Sequence, residues 1–144
     1  MTPSAPTVAL TDAPAADFGT VLEHGLVDFN ATQGLPRDWR PLAVTVRDPA
    51  TGAAVGGLLG RTSLGLFYLD LFYLPAALRG QGIGSRILRL AEDEAIRRGC
   101  CVATLVTVNF QAPEFYARHG WEEFGRIASV PGVERIFFRK TLAP

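Results

Sequence analysis

The sequence is poor in lysine, histidine, cysteine and methionine, and neither sign of charge is in excess. Fourteen basic side chains balance fourteen acidic ones over 144 residues, and Lys140 is the one lysine. A balanced chain has no long-range field to attract nucleic acid or an anionic membrane. We therefore expect neither of these as a partner.

Cysteine is too scarce for a covalent or metal framework. Cys100 and Cys101 are adjacent, too few and too close together for a disulfide scaffold or a zinc site. The simplest interpretation is a pair of buried thiols in a reducing cytoplasm. No apolar run approaches the ~18–20 residues of a membrane helix, and residues 1–14 lack the pattern of a secretory signal. We expect a cytoplasmic protein without a metal.

Length and composition indicate one domain. With 48% hydrophobic residues, the chain has enough apolar side chains for a single compact core. We predict one domain over residues 1–144, of which residues 1–14, with three prolines, form a flexible lead-in.

The hydrophobic pattern predicts a mixed α/β fold with a mostly antiparallel sheet of six to seven strands flanked by helices. The predicted strands are Val8–Leu10, Leu42–Arg47, Ala54–Leu59, Leu64–Leu74, Cys101–Val108, Trp121–Ile127 and Val133–Arg139, and the predicted helices are Asp17–Phe29, Ile83–Arg98 and Ala112–Arg118. A central βαβ unit consists of the fourth and fifth of these strands and the helix between them. The fifth strand is almost wholly apolar, which predicts burial on both of its faces.

The most informative segment is Arg79-Gly80-Gln81-Gly82-Ile83-Gly84-Ser85, between a strand and a helix. Glycines let a backbone approach a ligand closely. The first N–H groups of a helix have no partner within the helix and, with the helix dipole, suit a phosphate. Arg79 adds a charged fork of donors.

Other interpretations of this segment compete with anion binding. A glycine-rich turn that merely joins two elements is the simplest of them. A dinucleotide loop would need a third glycine at Ser85 and an acidic residue ~20 positions later, where Gly99-Cys100-Cys101 stands instead. A P-loop would need a Gly-Lys-Ser/Thr ending, and no lysine lies near.

Two motifs resemble those of the GNAT superfamily of acetyl-CoA-dependent N-acetyltransferases. Arg79-x-x-Gly82-x-Gly84 is similar to the family's pyrophosphate-binding pattern Q/R-x-x-G-x-G/A. Asn109 to Trp121 is similar to the family's segment N-x-x-A-x-x-x-Y-x-x-x-G-F, with Trp121 in place of phenylalanine. The two motifs leave room for one helix and one strand between them, as the family requires, and the resemblance covers roughly residues 42 to 140.

The resemblance implies acetyl-CoA as co-substrate and assigns a role to each matching position. The end of the aromatic strand would bind the pantetheine arm like an added strand, the glycine loop would hold the pyrophosphate, and Asn109 and Phe115 would contact the pantetheine and line the slot. The implied cofactor-binding residues are Phe72, Tyr73, Leu74, Arg79, Gly80, Gln81, Gly82, Ile83, Gly84, Ser85, Asn109 and Phe115.

Two residues are catalytic candidates. The resemblance places Tyr116 near the thioester sulfur, where a phenol can protonate the departing thiolate. Asp70 lies in the middle of an apolar strand, where a carboxylate is costly unless it faces a cleft or a partner, so it is our candidate to take the proton of the amine. Each has a structural alternative: Tyr116 as a packing tyrosine, and Asp70 paired with backbone or an arginine.

Several other residues keep two interpretations. Asn109 could cap the helix that follows it, and His24 and His119 are more typical of surface or packing histidines than of catalytic ones. Phe67, Tyr68, Phe72 and Tyr73 could line an aromatic acceptor pocket or belong to the core.

The sequence therefore predicts an acyltransferase that moves an acetyl group from acetyl-CoA to a primary amine, by direct attack while both substrates are bound. The acceptor would be a small-molecule or peptide amine. The alternative is a non-catalytic acyl-CoA sensor or interaction module on the same fold. Edge strands near the end of the sequence leave a homodimer open.

Overall fold

The structure is a computed structural model that describes residues 3–142. The chain divides into two compact units, residues 1–37 and residues 38–144, and each unit is described by itself. The prediction of a single domain stays a prediction, and the first two residues of the predicted lead-in lie outside the described residues.

The described residues of the first unit, 3–37, contain one helix, α1, Phe18–Thr32. It confirms the helix predicted from Asp17 and extends that helix by three residues, until Gly34, with φ of 80°, turns the chain away. The strand predicted over Val8–Leu10 is wrong. Residues 3–15 form neither helix nor strand, because a strand needs a hydrogen-bonding neighbour and the described chain offers none to this segment.

The second unit contains one sheet of six strands, which confirms the predicted sheet. The strands are β1 (Arg40–Arg47), β2 (Ala54–Ser63), β3 (Leu66–Tyr73), β4 (Val102–Val108), β5 (Glu122–Ala128) and β6 (Glu134–Thr141). Their order in the sheet is β1-β2-β3-β4-β6-β5. The β3–β4 pair is parallel and every other pair is antiparallel.

Two helices accompany the sheet, α2 (Ile83–Arg97) and α3 (Pro113–Arg118). A short turn of 3-10 helix (Ala76–Leu78) lies between β3 and α2. Helix α2 crosses from β3 to β4 and buries Ile87, Leu88, Ala91 and Ala95, the stripe expected of an amphipathic helix on a sheet. This confirms the βαβ unit. No helix within residues 3–142 has both the length and the apolar character to cross a membrane.

The core lies between α2 and one face of the sheet, and its largest fully buried side chains are those of Phe67, Leu88, Leu105 and Ile136. The prediction that β4 is buried on both faces is wrong, since buried Leu105 alternates with Val106, which is 42% exposed. The prediction of two buried thiols is half wrong, because Cys100 is buried and Cys101 is exposed. Adjacent residues at a strand entrance point to opposite sides.

Strands β3 and β4 separate beyond their first residues, and this opening positions the site. They pair only from Leu66–Leu69 to Val102–Leu105, although both strands continue. At the same level the register of β2 and β3 shifts, which leaves Asp70 as an extra residue without a cross-strand partner. Such a bulge bends and twists a strand locally, so the end of β3 leans away from β4.

Candidate functional site

A pocket of about 410 Å³ opens beside the end of β3, between the start of α2 and helix α3. Its walls are apolar on the strand side, aromatic on the side of α3 and rich in backbone on the loop side. The lining residues are Phe72, Leu74, Arg79, Gly80, Gly82, Gly84, Ser85, Gln111, Ala112, Phe115, Tyr116 and Arg118.

The loop that precedes α2 presents open backbone to this pocket. Gly80 and Gly82 have φ of 73° and 80°, and a Cβ on either would meet no atom within 4 Å. The first intrahelical bond runs from Arg86 N to Gly82 O. The N–H groups of Gly80 to Ser85 donate to no backbone carbonyl among the described residues. Positive φ favours glycine, and unpaired amides at a helix start attract an anion.

Three neighbouring side chains hold the loop in place. Arg79 Nε donates to the carbonyl oxygen of Leu74 at 2.8 Å, and its guanidinium lies 5.9 Å from the ring centroid of Tyr73. Gln81 Nε2 donates to the carbonyl oxygen of Ala77 at 2.9 Å. With Nε anchored in this way, the two terminal nitrogens of Arg79 remain as donors at the pocket wall.

Tyr116 lies on the floor of the pocket, within an aromatic cluster. Its ring makes edge contacts with Phe72, Phe115 and Trp121, with centroids 5.3 to 6.5 Å away. Only 8% of the residue is exposed, and burial raises its pKa to about 12, because a phenolate is poorly solvated there. The phenol therefore carries its proton at neutral pH.

Ser85 and His119 connect α2 with the end of α3. His119 Nε2 lies 2.8 Å from Ser85 Oγ, and His119 Nδ1 lies 2.7 Å from the carbonyl oxygen of Phe115. The carbonyl of His119 accepts a hydrogen bond from Lys140 Nζ at 2.7 Å. The rim of the pocket at Ser85 is thus tied to two other elements of the fold.

Most of the predicted site residues line this pocket, and five do not. Tyr73 lies against Arg79, Gln81 bonds back to Ala77, and Ile83 packs against the core. Asn109 and Asp70 are placed elsewhere, as described next. The aromatic set also divides: Phe72 lines the pocket and Phe67 is fully buried, whereas Tyr68 and Tyr73 are exposed, as alternation along a strand requires.

Asp70 and Asn109 are engaged by other residues. Arg61 Nη1 lies 2.8 Å from both carboxylate oxygens of Asp70, and its guanidinium stacks 4.5 Å from the ring centroid of Tyr68. Asn109 Nδ2 donates to the carbonyl of Gly132, and Asn109 Oδ1 accepts from Glu134 N, so the side chain fixes the β5–β6 turn. It does not cap α3, whose first position follows Ala112.

Sequence reasoning missed three pocket residues: Gln111, Ala112 and Arg118. The signal was present for Arg118, which stands three residues after Phe115 in α3 and so shares its helix face. Gln111 and Ala112 precede α3, so helical spacing could not have found them. No group of three or more His, Cys, Asp or Glu side chains within residues 3–142 could hold a metal ion.

Comparison with known proteins gives consistent matches. The sequence profile described as the acetyltransferase (GNAT) family matches residues 11–121. An acetyltransferase of Agrobacterium fabrum is 34% identical over 127 residues, which cover 88% of this chain and 92% of that protein. The blasticidin-S acetyltransferase of Streptomyces morookaense is 37% identical over 95 residues, 64% of this chain and 70% of that one. A crystal structure from Agrobacterium tumefaciens, assigned as an acetyltransferase, superposes with a TM-score of 0.80 at 33% identity, covering 94% of this chain and 99% of its own.

Proposed function

Because the chain belongs to the GNAT family of acetyltransferases and is an acyltransferase, we propose that it binds acetyl-CoA in the pocket beside α2. We propose further that it transfers the acetyl group directly to a primary amine while both substrates are bound. The observation that carries the proposal is the row of unengaged N–H groups from Gly80 to Ser85, facing the same pocket as a protonated phenol.

The diphosphate is assigned to the loop. Its negative charge meets the backbone donors at the start of α2 and the remaining nitrogens of Arg79, and charge-assisted hydrogen bonds of this kind are about twice as strong as neutral ones. The open space at Gly80 and Gly82 lets the phosphate oxygens approach the backbone directly. Arg118 on the wall of α3 supplies a further cation.

The pantetheine arm is assigned to the opening between β3 and β4. The parallel pairing stops at Leu69 and Leu105, so the backbone at the end of β3 offers hydrogen-bonding groups to an extended, amide-containing ligand. Phe72 and Phe115, whose centroids are 5.7 Å apart, give this slot an apolar wall. The thioester then lies close to Tyr116, which lines the same pocket.

The transfer itself is balanced without an acyl-enzyme. The amine nitrogen attacks the thioester carbonyl carbon, the carbon–sulfur bond breaks, and one proton of the amine ends on the sulfur. An ordinary thiol has a pKa of about 8.5, well below the 12 of Tyr116, so full transfer of the phenolic proton to the thiolate is uphill. Tyr116 acts by donating a hydrogen bond to the sulfur as negative charge develops there.

The amine must lose a proton during the transfer, and two acceptors fit the site. Asp70 sits at the bulge beside the strand opening, which keeps it a candidate, but its carboxylate is already held by Arg61. A cationic amine could replace Arg61 as the partner of Asp70 and lose its proton there. The alternative is a chain of water molecules.

The acceptor is proposed to be a small-molecule or peptide amine. One of the relatives above is named a blasticidin-S acetyltransferase, so blasticidin-S belongs in the first panel of acceptors to be tested. The exposed Tyr68 and Tyr73 beside Asp70 offer ring faces to such a ligand.

The experiment is a calorimetric titration with acetyl-CoA, followed by an acceptor screen that follows release of coenzyme A. We expect saturable binding of one acetyl-CoA per chain and amine-dependent release of the thiol with at least one class of acceptor. Absence of measurable heat at high protein concentration would contradict cofactor binding. Binding without release for any amine would instead favour a sensor.

A further inference from the structure

The hydroxyl of Ser85 in the proposed diphosphate loop is bonded to His119, one of only two histidines in the sequence. Ser85 lines the pocket, whereas His119 stands behind it. Phe115 holds the ring of His119 by two contacts. Its carbonyl oxygen bonds Nδ1, and its own ring has its centroid 4.6 Å away. The orientation of His119 toward Ser85 is therefore fixed by the fold.

The partners of the two ring nitrogens determine where the protons lie. A carbonyl oxygen only accepts, so Nδ1 of His119 carries a hydrogen in every state. In neutral His119 the other nitrogen, Nε2, has no hydrogen, so the single hydroxyl hydrogen of Ser85 must point to it. Ser85 then presents only lone pairs to the pocket, which is unfavourable for a neighbouring phosphate oxygen.

Protonation of His119 reverses this bond. Nε2 then donates to Ser85 Oγ, and the hydroxyl hydrogen of Ser85 is released to point into the pocket. The serine becomes a donor to a phosphate oxygen, and the positive charge of His119 lies directly behind the serine, away from the pocket. A bound diphosphate and a proton on His119 thus stabilise each other.

We propose that His119 is a positioning residue that sets the direction of the Ser85 hydroxyl, and that binding of the diphosphate is coupled to proton uptake by His119. The inference rests on the proposed function, because it takes the loop as the seat of the diphosphate. By linkage, affinity for the cofactor is highest at low pH and falls to a lower plateau as the pH rises.

Some charged groups around His119 oppose a positive charge on its ring, and others offset that effect. From β6, Lys140 Nζ donates to the carbonyl of His119, but its charge is balanced by Glu92 of α2, whose Oε1 lies 2.5 Å away. Arg118, the preceding residue of α3, and Arg79 also line or border the pocket and oppose a further positive charge. The incoming diphosphate offsets these cations, which is why uptake accompanies binding.

The test uses dephospho-coenzyme A as the probe. The 3′-phosphate of coenzyme A is a monoester that titrates at pH ~6, so its own protonation would obscure proton uptake by the protein. Dephospho-coenzyme A lacks this group, and its diphosphate stays ionised. Calorimetry in two buffers with different heats of ionisation gives the number of protons taken up. The dissociation constant is measured across the range, about pH 5 to 8, in which imidazoles change charge.

For the unchanged protein we expect uptake of a fraction of a proton at neutral pH and a fall in affinity of about tenfold across that range. His119→Gln keeps an amide that can donate to Ser85 but cannot gain charge, and we expect its uptake and pH dependence to vanish. His24→Gln, at the other histidine, exposed on α1, is the matched control and should behave like the unchanged protein. Ser85→Ala, useful if the first variant folds poorly, should show reduced uptake.

The outcomes separate this inference from the proposed function. No binding of dephospho-coenzyme A or of coenzyme A at any pH would overturn the proposed function and this inference with it. Binding without proton uptake, or the same uptake in His119→Gln as in the unchanged protein, would overturn the role of His119 alone.

Discussion

Two groups of glycines in this chain are needed for opposite physical reasons. In β2, a Cβ on Gly57 would stand 2.0 Å from the carbonyl oxygen of Val44, and one on Gly60 would stand 2.3 Å from that of Tyr68. In the loop before α2, a Cβ on Gly80 or Gly82 would meet nothing within 4 Å. At the β2 glycines the protein's own backbone occupies the space that a side chain would need. At the loop glycines that space is open and borders the pocket.

The difference distinguishes glycines that serve the fold from those that serve a ligand. Where the protein's own backbone occupies the space of the missing side chain, substitution should damage folding. Where the space is open, substitution should damage whatever binds there. Tyr116 combines the two situations, since it is buried within the fold and also lines the pocket.

The largest effect is expected for Gly57→Ala. The new Cβ would overlap a backbone carbonyl of the neighbouring strand, which cannot move without breaking the β1–β2 ladder, and φ of 135° is unsuited to alanine. We expect a loss of more than about 3 kcal/mol in the free energy of unfolding, measured by urea denaturation. Gly125→Ala in β5, with nothing within 4 Å and no positive φ, is the control and should change stability by less than about 1 kcal/mol. Equal stability of the two variants would contradict the packing argument.

The next effect concerns binding. Gly82→Glu places bulk and negative charge where the phosphate is proposed to lie, and we expect affinity for acetyl-CoA to fall more than about 100-fold, the equivalent of about 2.8 kcal/mol. Its matched control is Gly132→Glu, because Gly132 has nearly the same φ, 82° against 80°, and is equally open but lies outside the pocket. Both variants should lose about 1 kcal/mol of stability from left-handed strain, and only the first should lose binding by calorimetry. Retained affinity in Gly82→Glu would refute the loop assignment.

Tyr116→Phe keeps the aromatic packing and removes the hydroxyl. We expect kcat to fall by about 10²-fold, with the dissociation constant for acetyl-CoA unchanged, because the hydrogen bond to the sulfur becomes strong only as negative charge develops there. Tyr68→Phe, at an exposed tyrosine of β3, is the control and should leave acetyl-CoA binding unchanged. A variant at Tyr116 with full turnover would make this residue a packing tyrosine after all.

The smallest effect is a dependence of stability on alkaline pH. Because burial raises the pKa of Tyr116 from 10 to about 12, the folded state holds its proton more tightly than the unfolded state. The resulting contribution to the free energy of unfolding is fully present below pH 10 and is lost as the pH rises toward 12. At about pH 11 the free energy of unfolding is lower by about 1.4 kcal/mol. Urea denaturation should show that, between neutral pH and pH 11, the unchanged protein loses this much more stability than Tyr116→Phe does. Parallel pH curves for the two proteins would mean that the phenol is not desolvated.

Much of the fold was predictable because its signals are local. The stripe of α2 and the loop before it lie within about twenty consecutive residues, and a motif read along the chain places Gly82, Ser85 and Tyr116 correctly at one pocket. The end of β2 was predicted less accurately. β2 runs to Ser63 rather than Leu59, because its glycines look like strand breakers in the sequence although a neighbouring backbone fills their space.

The features that the sequence did not show depend on contacts between distant residues. Exposure of Val106 and Cys101 depends on what covers the second face of the sheet, and composition alone carries no such information. The pairing of Asp70 with Arg61 depends on the register of β2 against β3, including a bulge that no local pattern marks. The role of Asn109 at the cofactor stays a prediction, and its bonds to a turn more than twenty residues away could not be read from its motif.

The central claim is that the backbone between Gly80 and Ser85 seats the diphosphate of acetyl-CoA, and a crystal structure of the complex tests it most directly. We expect phosphate oxygens within hydrogen-bonding distance of these N–H groups and of the Arg79 guanidinium, with the sulfur next to the hydroxyl of Tyr116. A complex in which the diphosphate lies elsewhere, with the loop unoccupied, would contradict the account.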